Sequence, residues 1–240
     1  MKRVLITGAN RGLGLELTRQ ALERGDTVFA TCRRPESATD LHELASQYPA
    51  GRLTLVALDV TNEASIEAAR ATVQAATASL DLLINNAGVY PGAGPEDPEN
   101  QRLGQFTADV ALQVLRVNAV GPLLVAQAFL NLLRAGTKPR ILSLSSGQGS
   151  ITWKASGDPY HYSASKATLN MYMRALAAEI GQYGVLSMLV DPGWVRTGMG
   201  GTAAAQDPAV AAKGILRLAE QLHDEENGSF VTWQNEFVPW

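Results

Sequence analysis

The sequence predicts an α/β fold: one domain over residues 1–240, built as a doubly wound parallel sheet with helices on both faces. Three observations carry this. Short β-rich runs alternate with helical patterns as far as residue 191, the mark of repeated strand–helix–strand units. The apolar runs barely alternate with polar residues, as strands covered on both faces require. No repeat or low-complexity linker divides the 240 residues, and a chain of that length can bury one large core.

The elements follow in order. RVLIT (3–7) is the first strand, and LGLELTRQALERG (13–25) is a helix closed by Gly25. TVFAT (27–31) is the next strand, followed by a helix through ATDLHELASQY. RLTLVALDV leads into NEASIEAARATVQAATA, where Asn62 is a candidate N-cap. DLLINNAG is a strand ending in a turn, and RILSLSS (140–146) and VLSMLVDPG (185–193) repeat the pattern. YPGAGPEDPENQ (90–101) and GWVRTGMGGTAAAQDP (193–208) read as loops.

Composition narrows the partners. A net charge of -3 offers no basic excess for nucleic acid. One cysteine, Cys32, excludes an intrachain disulfide framework and fits a reducing cytoplasm. Three histidines with no Cys/His cluster give no recognisable transition-metal site. The apolar run after MKR is too short for a signal peptide. The longest apolar stretch, VLRVNAVGPLLVAQAFLNLL, is interrupted by Arg116, Asn118, Pro122 and Gln127, against a membrane span. The expectation is a soluble, cytoplasmic protein.

Two local patterns suggest chemistry. Between the first strand and first helix, LITGANRGLG places Gly8, Gly12 and Gly14 where glycine permits a tight turn and lets a pyrophosphate approach backbone N–H groups at the helix start. The spacing is G-x-x-x-G-x-G rather than G-x-G-x-x-G. At the end of the second strand, TCRRP carries Arg33 and Arg34 and no carboxylate, and Arg11 in the glycine loop adds a further positive charge. A guanidinium pairs with phosphate oxygens, so NADP(H) is favoured over NAD(H); solvated surface arginines are the bland alternative. Asp59 is expected to contact the adenine base or else to cap the following helix. In DPYHYSASKATLNMYMRALAAE (158–179), Tyr162 and Lys166 lie four residues apart, within about 40° on one helical face. Tyr160 and Tyr172 are each six positions from Lys166 and point elsewhere. On spacing alone, a solvated surface pair is the commoner outcome.

Seven motifs in order make the chain resemble the short-chain dehydrogenase/reductase family: TGANRGLG (7–14), DV (59–60), NNAG (85–88), VNAVGP (117–122), LSLSS (142–146), YSASK (162–166) and DPGWVRT (191–197). The long gap from Ser146 to Tyr162, the PGWVRTGMGG segment and the final PW are similar to the C-factor and sniffer-like carbonyl reductases. The resemblance implies a Rossmann-type sheet and an active site of Ser146, Tyr162, Lys166 and Asn118, with Ser145 and Ser143 as alternatives for the serine. It implies that Asn118 holds a water linking the lysine to solvent. It further implies NADP(H) contacts from Gly8, Asn10, Arg11, Gly12, Leu13 and Gly14 around the phosphates and adenosine, with Arg33, Asp59 and Val60. Asn86, Ala87, Gly88, Pro192, Gly193, Val195 and Thr197 complete the cofactor set with Tyr162 and Lys166, the lysine reaching the nicotinamide ribose. Family members often pair through the helices after Asn118 and after Tyr162, as homodimers or homotetramers, although monomers occur.

The implied reaction reduces a small-molecule aldehyde or ketone to an alcohol, with hydride from NADPH and a proton from Tyr162. A phenol of pKa about 10 needs roughly 4 kcal/mol to reach neutrality, and an ammonium about 4 Å away supplies about 4 kcal/mol at an effective dielectric near 20. Lys166 is therefore expected to lower the Tyr162 pKa in a shielded site. Loops 147–158 and 193–206 are expected to form substrate walls, with Trp153 and Trp194 as an apolar rim or as ordinary packing. Lys154 is expected either to attract an anionic substrate or simply to be exposed. The alternative reading is an NADP(H)-binding signalling or sensor protein without turnover.

Overall fold

The computed structural model describes residues 1–91, 103–157 and 159–240. Seven parallel strands form one sheet: β1 (Arg3–Thr7), β2 (Thr27–Cys32), β3 (Leu53–Ala57), β4 (Leu82–Asn85), β5 (Arg140–Leu144), β6 (Leu186–Asp191) and β7 (Phe230–Thr232). Their spatial order is β3-β2-β1-β4-β5-β6-β7. The order reverses between β1 and β4, and a crevice outside the carboxyl ends of strands at such a reversal is where this architecture binds ligands. The helices are α1 (Gly12–Glu23), α2 (Thr39–Ser46), α3 (Glu63–Ala76), α4 (Ala108–Leu115), α5 (Gly121–Arg134), α6 (Tyr160–Ile180) and α7 (Pro208–Gln221).

Period-two alternation divides each strand between two cores. Val4 and Ile6 of β1, Leu82 and Ile84 of β4, and Met188 and Val190 of β6 face the layer holding α1, α2 and α7. Leu5, Leu83 and Ile141 face the opposite layer with α3 and α5, and Leu189 packs there against Leu169 and Met173 of α6. Both faces being apolar explains why the strand runs scarcely alternate in hydropathy. Gly25 follows α1 at φ 88°, and the Asn62 side chain accepts the Ser65 N–H at 2.9 Å, capping α3.

The alternation legible in the sequence ends at residue 191, and the structure adds α7 and β7. α7 is amphipathic, burying Ala211, Ala212, Ile215, Leu216 and Ala219 beside α1. β7 has three residues, FVT, too short a run to signal a strand without the neighbour it pairs with. The proline-rich stretch 90–101 lies outside the described residues apart from Tyr90 and Pro91, as does Asp158 in the 147–158 stretch.

α4 and α5 run on through a π-helical turn, Arg116–Val120, as one helix from Ala108 to Arg134 that is long and apolar enough to cross a membrane by length and composition alone. Its interrupting residues serve the fold instead. Asn118 and Pro122 are buried, while Arg116 reaches out to the Thr61 carbonyl at 3.1 Å.

Candidate active site

The crevice begins where β1 turns into α1. Gly8 adopts φ 65°, a conformation that costs an L side chain strain, and a β-carbon there would lie 2.9 Å from Ala87 Cα. At Gly14 a β-carbon would lie 2.3 Å from the Gly8 carbonyl oxygen and 2.4 Å from Asn86 Nδ2. The loop after β4 is stapled to this turn. Asn86 Nδ2 donates to the carbonyls of Thr7 (2.8 Å) and Gly8 (3.0 Å), while the backbone N–H groups of Asn86 and Ala87 donate to Thr7 Oγ1. The Asn86 amide is thus spent on shaping the loop, a role its motif did not disclose. Thr197, from the segment after β6, packs over Gly12. Arg11 occupies the N-cap of α1 without a side-chain cap, so no side chain satisfies the first-turn N–H groups there. Uncapped N–H groups above a glycine turn are suited to a pyrophosphate.

The carboxyl ends of β2 and β3 bring Arg33 and Asp59 together. Arg33, just past β2, is exposed, and Asp59 lies near enough to feel its charge. Burial resists ionisation of Asp59. The N–H and hydroxyl of Thr61 (2.9 and 2.7 Å), with the charges of Arg33 and Arg116, outweigh it and hold the carboxyl below the usual range. The cap of α3 is Asn62, so Asp59 is not its cap. Val60 is buried against Gly121.

Across the crevice, α6 presents Tyr162 and Lys166 on one face. Lys166 is 5% exposed, its Nζ donates to the Leu144 carbonyl at 2.8 Å, and it sits 5.6 Å from the Tyr162 ring centroid. A solvated surface pair is thereby excluded. Three serines competed for the neighbouring role, and their partners separate them. Ser143 accepts from Asn85 Nδ2 (3.1 Å) and Ser145 donates to Asn170 Oδ1 (2.6 Å), both inside the protein. Ser146, half-buried at the end of β5, hydrogen-bonds Tyr162 and caps the turn at Gln148.

Asn118 is fully buried in the π turn, accepting the Val89 N–H at 2.8 Å and donating to the Val89 carbonyl (2.9 Å) and Ser165 Oγ (3.0 Å). Its side chain fixes the strand-end loop that carries Gly88, where a β-carbon would stand 3.3 Å from Asn118 Oδ1 and 3.9 Å from Lys166 Nζ.

The electrostatics depart from the expected lysine-primed phenol. Burial pushes the Tyr162 hydroxyl up, the Ser146 hydrogen bond opposes this, and Asp191 and Tyr90 add to the rise. The Tyr90 ring lies 4.8 Å from that of Tyr162. Burial lowers Lys166 to about 8, against the pull of Asp191. The Lys166 amine is turned onto β5, and the Asp191 carboxylate at the end of β6 adds to the rise at the phenol. Neither Asp191 nor Tyr90 was assigned a role from sequence. The available signal was positional: Asp191 immediately precedes PGWVRT at the carboxyl end of a strand, the edge at which such sheets place their sites.

Beyond Asp191, its Oδ1 accepts the N–H of Gly193 (2.9 Å), Pro192 is half-buried, and Val195 is buried. Trp153 and Trp194 are 52% and 60% exposed, which excludes core packing for either. Lys154 is only half-exposed, its Nζ donating to Ser163 Oγ (3.0 Å) and Gln148 Oε1 (3.4 Å), so it braces the loop rather than standing out in solvent. Asn10 and Leu13 lie half-buried and buried within the glycine turn. Among the described residues, no group of three or more His, Cys, Asp or Glu side chains converges as a metal site.

Comparison with known proteins gives the same grouping as the motifs. A family model described as short chain dehydrogenase matches residues 2–208. The C-signal protein of Myxococcus xanthus is 36% identical over 167 residues, covering 68% of this chain and 95% of its own. The crystal structure of NADPH-bound carbonyl reductase from chicken fatty liver has a TM-score of 0.91 at 33% identity, covering 100% of this chain and 99% of that one. The carbonyl reductase Sniffer of D. melanogaster has a TM-score of 0.92 at 30% identity, with both chains covered over 100%.

Proposed function

The chain belongs to the short chain dehydrogenase family, and from that premise we propose that it is an NADPH-dependent carbonyl reductase converting an aldehyde or ketone to an alcohol. One observation carries the reading: Tyr162, hydrogen-bonded to Ser146, stands beside a buried Lys166 at the mouth of a glycine-lined crevice.

The residues fit NADP(H). The uncapped start of α1, Gly8, Gly12 and Gly14 suit the pyrophosphate, with Asn10 and Leu13 in the same turn. Arg33 and Arg11 suit a 2′-phosphate, with Asp59 and Val60 beside the adenine. Asn86 and Val195 would line the nicotinamide side, with Ala87, Gly88, Pro192 and Gly193 also in the cofactor set and Thr197, packed over Gly12, beside the pyrophosphate turn. When bound, NADPH supplies the hydride that the carbonyl carbon receives.

The chain's own groups do the rest. A phenol held above its ordinary pKa stays protonated at neutral pH, so Tyr162 is loaded as the proton donor to the carbonyl oxygen. The Ser146 hydroxyl hydrogen-bonds that oxygen as negative charge gathers on it. Lys166, near 8, exchanges protons readily at neutral pH and is the group through which the spent tyrosinate is reprotonated, while the Asn118 amide, engaged with Val89 and Ser165, shapes the loop beside it. Residues 147–158 and 193–206 form the substrate walls, Trp153 and Trp194 giving them an apolar rim.

A second reading, an NADP(H)-binding signalling protein without turnover, is favoured by the name of the C-signal relative. An intact donor set of Ser146, Tyr162 and Lys166 argues for turnover, since sensing alone has no use for a proton donor. Following nicotinamide absorbance with NADPH and a panel of aldehydes, ketones and diketones separates the two. Turnover is expected, and Tyr162→Phe abolishes it while NADPH binding persists. NADPH binding with no turnover across the panel would replace the first reading with the second.

A further inference from the structure

Residues 237–240 cross the outer side of the substrate wall. Val238 is buried against Leu169 and Met173 of α6, and its N–H donates to the Phe230 carbonyl at 2.9 Å. The Trp240 ring lies 5.8 Å from that of Phe230 and beneath the Arg174 guanidinium, 4.6 Å from its centroid. The Trp240 backbone oxygen is gripped from a third direction. It accepts both the N–H (2.9 Å) and the hydroxyl (2.5 Å) of Thr152, 88 residues away.

Thr152 is itself exposed; these two bonds tie it to residue 240, while the adjoining Trp153 N–H donates to the buried Ser150 hydroxyl at 3.2 Å. The next residue, Trp153, has its ring 3.3 Å from the position a Gly147 β-carbon would take, directly after Ser146. On the other side, Gly149 is pressed onto the Lys166 backbone, where a β-carbon would come within 2.9 Å. A half-open pocket of about 360 Å³ adjoins the strap, lined in part by Arg174, Phe230, Phe237 and Trp240. Val238 anchors the strap in the core, and the Trp240 ring and backbone oxygen fix its end over Phe230 and at Thr152.

We propose that Trp240 is a positioning residue, which through Thr152 sets the distance of Trp153 from Ser146 and so the fit of the carbonyl substrate. Trp240 touches no reacting atom. It acts by holding the wall in its binding conformation before substrate arrives, and a wall that must be ordered on binding weakens affinity without altering the proton donor. The proposal rests on the carbonyl-reductase reading for its kinetic consequence, though not for the strap itself.

Two measurements on the full chain test it. Trp240→Ala keeps the backbone oxygen but removes the ring contacts with Phe230 and Arg174 that hold it in place, and the KM for a reducible carbonyl is expected to rise about threefold to tenfold, the range of one aromatic or cation–π contact, with kcat and the NADPH Kd unchanged. Trp240→Phe, which keeps an aromatic ring over Phe230 and under Arg174, restores the KM. Hydrogen exchange at residues 151–153 accelerates in Trp240→Ala, and less so in Thr152→Val, which folds without disturbing the ring stack and stands in if the alanine variant does not fold. Unchanged exchange at 151–153 in both variants overturns the strap. A matching loss of kcat and NADPH affinity shows a general structural role and overturns the positioning role. If the unaltered protein turns over no carbonyl, the functional reading falls while the exchange data still decide the strap.

Discussion

Lys166 gives the sharpest test of the active-site electrostatics because its burial has a thermodynamic consequence independent of any substrate. The ammonium is 5% exposed and its pKa falls from 10.5 to about 8, burial being the cause and Asp191 the opposing influence. A shift of about 2.5 units at 1.36 kcal/mol each corresponds to about 3 kcal/mol. Below pH 8 the lysine is charged both folded and unfolded, and the cost of burying the charge is present in full. Between pH 8 and 10.5 the unfolded chain still binds the proton that the folded protein has released, so stability rises with pH. Lys166→Met lacks this titration. Its loss of the 2.8 Å bond to the Leu144 carbonyl shifts the stability difference by a constant rather than changing its slope. Urea unfolding of the cofactor-free protein and of Lys166→Met at a series of pH values from 7 to 10.5 should show wild type gaining about 3 kcal/mol on the variant across the window. A flat or falling difference would refute the reasoning, placing the ammonium in solvent or in a compensating ion pair.

Three further outcomes are expected. Arg33→Ala should raise the KM for NADPH by roughly tenfold to a hundredfold, the range of one charge-assisted hydrogen bond, and leave that for NADH nearly unchanged; equal effects on both would remove Arg33 from 2′-phosphate recognition. Gly14→Ala forces a β-carbon to 2.3 Å from a carbonyl oxygen and should abolish NADPH binding in a calorimetric titration, with a stability loss on the order of 1–3 kcal/mol; full affinity would mean that the turn repacks freely. Asn118→Ala strips the partners from both backbone groups of Val89 and should lower stability by about 2–3 kcal/mol in denaturant unfolding, whereas an unaltered midpoint would show that the π turn holds this loop without the side chain.

What was legible in the sequence was whatever depends on near neighbours in the chain. The four-residue step from Tyr162 to Lys166 fixes their shared face, and the glycines after β1 fix a turn whose tightness is local. The order of motifs then located Ser146 among three serines, though only their partners, Asn85, Asn170 and Tyr162, show why Ser143 and Ser145 are otherwise engaged. Features that depend on distant chain segments were not legible. Lys154 has the sequence context of a surface lysine, and only the folding of its loop brings it to Ser163. β7 is a strand because β6 is there to pair with it, and residues 230–232 carry too little pattern to announce it. The near neighbour in sequence suggests that Lys166 sets the field at Tyr162, but that field includes Asp191, which only the folding of the sheet brings close.

That last departure changes how the pair must work. An acid donates best when its pKa lies near the working pH, so a phenol held above its ordinary value is protonated at rest and gives up its proton only as charge gathers on the carbonyl oxygen. Here burial and Asp191 keep Tyr162 protonated, and burial puts Lys166 near 8. The two groups therefore take separate roles. Tyr162 stays loaded, while Lys166 exchanges protons with solvent at working pH. Asp191 favours both halves at once, disfavouring a negative phenolate and favouring a positive ammonium. Neutralising that carboxylate should move both titrations downward together. A lysine acting alone through its proximity to the phenol would predict no such joint movement, because the two groups would respond only to each other.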